Sequence, residues 1–200
     1  MEGLLELDTC LFLAINGLHS ETWDTVMWWI SGKFTWWPFY LAVLGLLAWK
    51  KGRQFLPMIL FIALVVVLTD QTSVHLFKNL FQRLRPCHQP SLEGMVHLVN
   101  YKCGGKYGFI SSHAANVAGV TLLVLLWYRK WWFAMIMIVW AFLVGYSRIY
   151  LGVHYPADVL VGWLWGLLCG WLVYRLFCIL MKNLPSSWWI SDKQSVSGTS

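Results

Sequence analysis

Between two long apolar segments lies Ser147-Arg148-Ile149-Tyr150-Leu151-Gly152-Val153-His154-Tyr155-Pro156-Ala157-Asp158. Pro156 suits the first position of a helix, because it lacks an N–H and its φ is already helical. Asp158 then falls in the first turn, and its carboxylate can reach back to a ring nitrogen of His154. That contact fixes the imidazole tautomer and leaves the other nitrogen as a nucleophile or base. Arg148 supplies a planar, permanent positive fork suited to an oxyanion. Taken alone, the stretch could equally be a polar membrane-edge loop with a capped helix. Two further stretches change the balance. In Lys78-Asn79-Leu80-Phe81-Gln82-Arg83-Leu84-Arg85-Pro86, helical spacing puts Lys78 and Arg85 two turns apart on one face, with Pro86 closing the segment and Arg83 turned away toward solvent or headgroups. In Gly108-Phe109-Ile110-Ser111-Ser112-His113, backbone N–H groups and hydroxyls at a helix entrance can hold an anion at the positive end of the dipole.

The elements that carry these residues are membrane elements. The chain has 200 residues, 58% hydrophobic and 12% charged, with fifteen tryptophans. That composition excludes an ordinary soluble globule. The net charge of +6 does not argue for nucleic acid, because the basic residues sit at the ends of apolar runs. No cleavable signal peptide is expected after Met1-Glu2-Gly3. The predicted fold is an all-α integral membrane helical bundle: five spans plus an N-terminal helix, Leu4 to Leu18, which lies in the interface or forms a sixth span. A second short helix is expected from about Glu21 to Ile30, with Ser20 as its N-cap. The spans are Trp37 to Trp49 (with a turn from Phe34 to Trp36), Phe55 through Lys78, Ala114 to Trp127, Trp131 to Tyr146, and Pro156 to Met181. Residues 1–184 are expected to form one domain and 185–200 a tail that frays beyond Trp189. Paired tryptophans at Trp28-Trp29, Trp36-Trp37, Trp131-Trp132 and Trp188-Trp189 read as interfacial anchors.

Adjacent spans run antiparallel. The end of the Phe55 helix, the start of the Ala114 helix, the end of the Trp131 helix and the start of the Pro156 helix therefore share one membrane face. Lys78, Arg85, His113, Arg148, His154 and Asp158 all belong to it. Lys50, Lys51, Arg53, Arg129, Lys130 and Lys182 mark the opposite face as cytoplasmic. The clustered face then looks toward a periplasm or exterior from an inner (plasma) membrane. Asp70 and Gln71 lie within an apolar helix; an intramembrane acid is a functional candidate, and a helix-packing hydrogen bond is the alternative. His75, one turn from Lys78, could touch a headgroup. Cys87 and Cys103, with His88 and His97, match no familiar zinc spacing, and a disulfide is the expectation for an oxidising compartment. Cys10, Cys169 and Cys178 are expected to pack in apolar segments. Only Glu93 and Asp158 offer carboxylates near the cluster, too few for a metal-dependent hydrolase, so no metal or other cofactor is expected.

Lys78…Arg85-Pro86, Ser111-Ser112-His113 and Ser147-Arg148…His154…Asp158 resemble, in order and spacing, the three-part signature of the type 2 phosphatidic acid phosphatase superfamily. The resemblance covers roughly Phe55 to Met181. The middle motif of that family usually reads Pro-Ser-Gly-His; here Ser112 stands for the glycine and keeps its backbone N–H. Carried over, the resemblance implies that His154 attacks phosphorus, Asp158 orients it, and His113 protonates the leaving oxygen and then activates water. It implies that Lys78, Arg85, Arg148, Ser111 and the Ser112 amide hold the phosphoryl oxygens. The expected activity is hydrolysis of a lipid phosphate monoester or pyrophosphate, with lipid A phosphate or undecaprenyl pyrophosphate as leading substrates. A phosphotransferase that uses an alcohol in place of water would need the same residues. A non-catalytic anion transporter or lipid-binding protein is the alternative from another class, although transporters usually place their sites at the midplane.

Overall fold

Helices in this chain carry two kinds of apolar face, one of small residues and one of large ones, and packing follows from the difference. The structure is a computed structural model and describes residues 2–182. The tail and the Trp188-Trp189 pair lie outside the described residues. In order come α1 (Glu2–Asn16), α2 (Glu21–Ser31), α3 (Trp37–Lys51), α4 (Phe55–Thr72), a π-helical turn (Ser73–Lys78), α5 (Asn79–Phe81), α6 (Ser112–Trp127), α7 (Trp131–Tyr150) and α8 (Pro156–Lys182). Three apolar helical stretches are long enough to cross a bilayer: Trp37–Phe81, Trp131–Tyr150 and Pro156–Lys182. Within the first, Gly52 caps α3 at φ 52° and folds the chain back, so α3 and α4 make two passes. With α6, a shorter apolar helix, the described residues hold five apolar helices.

The tightest seam joins α6 to α8. Gly162, Gly166 and Gly170 recur every fourth residue on one side of α8. A Cβ at these positions would lie 2.7 Å from Ser111 O, 2.2 Å from Ala115 O and 2.6 Å from Gly119 O. Only glycine lets the two backbones approach this closely, which is how helices gain contact where lipid removes the hydrophobic drive. The other side of α8 presents Leu160, Leu164, Leu168 and Leu172, all exposed, to the hydrocarbon.

The α1 helix lies along the rim. Its Asp8 accepts from the N–H of Ala157 at 2.8 Å, at the start of α8. Asn16 donates to Tyr150 O at 2.7 Å, at the end of α7. Asp8 and Asn16 are about 12 Å apart along the helix axis, and both ends meet the same membrane face. This is the placement expected of an interfacial helix. Helix α2 follows the same rim, with Ser20 as N-cap accepting from Trp23 N–H. Its Asp24 accepts from the Tyr150 hydroxyl at 2.8 Å and meets His97 Nε2 at 2.7 Å.

Residues 34–36 form a turn and α3 begins at Trp37, where Pro38 can enter the first helical turn. Two expectations need correction. Of the three lone cysteines, only Cys169 is buried; Cys10 and Cys178 are exposed. The helix carrying Lys78 ends at Phe81, because Gln82 takes a left-handed conformation at φ 46°.

Candidate functional site

The early helix end matters for the site. Arg85 stands in extended backbone, so it shares no helical face with Lys78. Its buried guanidinium is held from three sides by carbonyls of Tyr107 (3.4 Å), Cys103 (3.2 Å) and Val153 (3.5 Å). Cys87 and Cys103 form a disulfide, with Cα atoms 5.9 Å apart. The covalently closed outer loop thus supplies one of the carbonyls that aim Arg85.

Hydrogen bonds join the four distant stretches at one rim. Lys78 Nζ donates to Ser112 Oγ at 3.0 Å, a contact that glycine at position 112 could not make. Ser111 N–H donates to Asp158 O at 3.0 Å, tying the start of α6 to the start of α8. The N–H groups of Val153 and His154 both donate to Arg148 O, at 3.3 and 3.2 Å, which folds the α7–α8 connection into a tight loop. Arg148 donates in turn to the Ser31 hydroxyl, fastening the end of α2 to the site.

His154 is 2% exposed. Its Nδ1 lies 3.5 Å from Asp158 Oδ2 and has no hydrogen-bond partner among the described residues. The same Oδ2 accepts from the N–H of Tyr155 at 3.0 Å. Burial holds the imidazole pKa well below its ordinary value, and the charges of Arg85, Arg148 and Lys78 push it further. The free base, which has a lone pair to give, is therefore the resting form. His113 is half-buried in the first turn of α6. The N–H groups of Ser112 and His113 open that helix without backbone partners.

Two expected placements differ. Ser111 is fully buried, and its hydroxyl accepts from Ala114 N–H as the cap of α6. That leaves only its hydroxyl proton for an anion. Arg83 does not turn to solvent. It donates to Asp158 Oδ1 at 2.8 Å and to Asp8 Oδ2 at 2.6 Å, with its guanidinium 4.0 Å above the Tyr155 ring. Asp8 therefore joins Asp158 at the rim, and the two carboxylates are bridged by a guanidinium. Glu93 lies exposed in the outer loop, and His75 and Gln71 are exposed on the α4 side.

Beside the rim opens a cavity of about 510 Å³ between α3, α4, α6 and α7. Lys33 and Ser31 stand with His113 at its polar end, and Trp36, Phe39 and Trp140 line its apolar length. Trp36 and Phe39 meet the Trp140 ring at centroid distances of 6.2 and 5.2 Å. Lys33, whose charge is felt at His113, is a rim cation that the sequence motifs do not include.

The family model described as the PAP2 superfamily matches residues 55–181. A lipid A 4'-phosphatase of Bacteroides thetaiotaomicron is 37% identical over 191 residues, covering 93% of this chain and 84% of that protein. A lipid A 4'-phosphatase of Porphyromonas gingivalis is 36% identical, covering 88% and 75%. Among solved structures, Aquifex aeolicus LpxE superposes with a TM-score of 0.62 at 28% identity, over 84% of this chain and 95% of that one. A transmembrane PAP2-type phosphatidylglycerolphosphate phosphatase from Bacillus subtilis gives 0.64 at 25% identity, over 92% and 90%.

Proposed function

Because the chain belongs to the PAP2 superfamily, we propose that this membrane phosphatase hydrolyses a phosphate monoester on a sugar lipid of the lipid A type, by way of a phosphohistidine. The observation that carries the mechanism is the setting of His154: a neutral, buried imidazole with Asp158 at one nitrogen and three cations acting on it. Nδ1 faces Asp158, so Nε2 is the nucleophile. It forms a bond to phosphorus as the bond from phosphorus to the lipid oxygen breaks. His113, protonated as the phosphoryl dianion enters among the cations, gives that proton to the leaving oxygen, and the lipid alcohol leaves. Water then attacks the phosphohistidine, His113 takes the water's proton, and inorganic phosphate departs with His154 restored. Arg85, Arg148 and Lys78, with the free Ser112 and His113 N–H groups, hold the three equatorial oxygens as their charge shifts. The 3.5 Å gap to Asp158 closes when the imidazole becomes charged, since such contacts tighten in the reacting complex.

His113 lines the cavity, so the leaving lipid lies along it while His154 attacks from the opposite side. The rim faces the periplasm or exterior, since Lys50, Lys51, Arg53, Arg129 and Lys130 flank the short loops of the other face. Purified protein should release phosphate from lipid A in excess chelator. His154→Ala should lower turnover by at least about 10⁴-fold with the helical content intact. Turnover that stops with chelator, or survives the substitution, contradicts the proposal.

A further inference from the structure

The cavity carries polar groups below the chemistry that the reaction does not use. Asp70 on α4 and Asn116 on α6 line it together with His113. The Thr69 hydroxyl donates to Asn116 Oδ1 at 2.5 Å, which fixes Asn116 and the residue beside Thr69 at one level of the bundle. Asn116 follows His113 by three residues on α6, so this level is about 5 Å deeper than the general acid. Asp70 is partly exposed to the cavity and forms no hydrogen bond or ion pair among the described residues. A carboxylate at this depth is costly unless something meets it. The Asn116 amide group, its oxygen already occupied, has its N–H donors to offer.

The geometry points to a subsite in which Asp70 accepts, and Asn116 supports, a hydrogen bond from a hydroxyl or amide N–H carried on the leaving lipid near its reacting oxygen. The assignment rests on the phosphatase reading above, and it names the substrate class as a sugar lipid. With the leaving oxygen at His113, a group about 5 Å deeper is only a few bonds away. In an acylated amino sugar that place holds a ring hydroxyl or an amide N–H. In a polyprenyl diphosphate it holds the second phosphate, which the Asp70 carboxylate repels. In a diacylglycerol phosphate it holds ester oxygens, which accept but cannot donate. A carboxylate therefore separates these three substrates by sign and by donor. A site built to bond a donor also penalises analogues that leave it unpaired.

The test compares kcat/KM of the purified full chain for lipid A, phosphatidate and undecaprenyl diphosphate, each in the same detergent. The ratio of lipid A to undecaprenyl diphosphate should fall about 10- to 100-fold in Asp70→Leu and largely recover in Asp70→Asn, which keeps an acceptor. Should Asp70→Leu fail to fold, wild-type protein answers alone. A lipid A analogue with its donors beside the reacting oxygen methylated should be a roughly tenfold poorer substrate. Equal losses on all three lipids, or no loss with the methylated analogue, would overturn the subsite and leave the phosphatase standing. No release from any lipid would overturn the phosphatase reading and the subsite together.

Discussion

The two sides of α6 are built on opposite plans. Toward α8, Gly162, Gly166 and Gly170 bring backbone against backbone, and the rim above is crossed by Lys78–Ser112, Ser111–Asp158 and Asp8–Arg83–Asp158. Toward α3 and α4 the same helix faces a cavity of about 510 Å³, walled by aromatic rings. In α3 only Val43 and Leu47 are buried. Each task therefore has its own side of α6. Phosphoryl transfer needs groups held within fractions of an ångström, and they stand on the side that cannot move. A lipid tail needs space, and it is offered on the side with little to displace.

The comparison breaks first at the seam. Gly166→Leu puts a side chain where even a Cβ would meet Ala115 O at 2.2 Å, so α6 and α8 must part. Loss of folded protein is expected, or at least about 3 kcal/mol of destabilisation, read as a collapse of the melting temperature in detergent with no turnover. Arg83→Ala comes next. It leaves Asp8 and Asp158 facing each other without their shared cation, and breaking a buried pair costs about 3–5 kcal/mol. Because Asp158 is the partner of His154, kcat should fall roughly 100-fold while KM changes little. Arg83→Lys should recover only part of the loss, since an ammonium cannot bridge two carboxylates as a fork does. A change on the loose side should be smallest. Val120→Phe narrows the cavity and should raise KM by up to about tenfold for long-chain lipids and less for short ones. A fall in kcat equal to that of Arg83→Ala would show that the two sides are not separate in function.

Much of this arrangement is legible in sequence because it rests on periodicity and composition. Apolar runs ended by charges place the helices, Ser20 marks the start of α2, and three motifs at the ends of antiparallel spans bring His113, Arg148 and His154 to one rim. Gly162, Gly166 and Gly170 are also readable as a stripe of small residues, although helical spacing alone names no partner. What sequence hides is set by backbone turns and tertiary contact. Gln82 leaves the helical region four residues before Pro86, and this swings Arg83 inward and puts Arg85 in a loop. The π-helical turn at Ser73–Lys78 shifts the helical phase just before Lys78 and has no residue signature. Asp8 looks like a solvent-face residue of an amphipathic helix until α1 is laid against the start of α8.

The phosphohistidine mechanism requires a covalent bond between His154 and phosphorus. Rapid quenching of the enzyme during turnover of ³²P-labelled lipid A, followed by peptide mapping, reads that bond. Label that is lost in acid, kept in alkali and confined to the peptide containing His154 is the predicted result, and His154→Ala should carry none. Label on another residue, or undiminished label in His154→Ala, would contradict it.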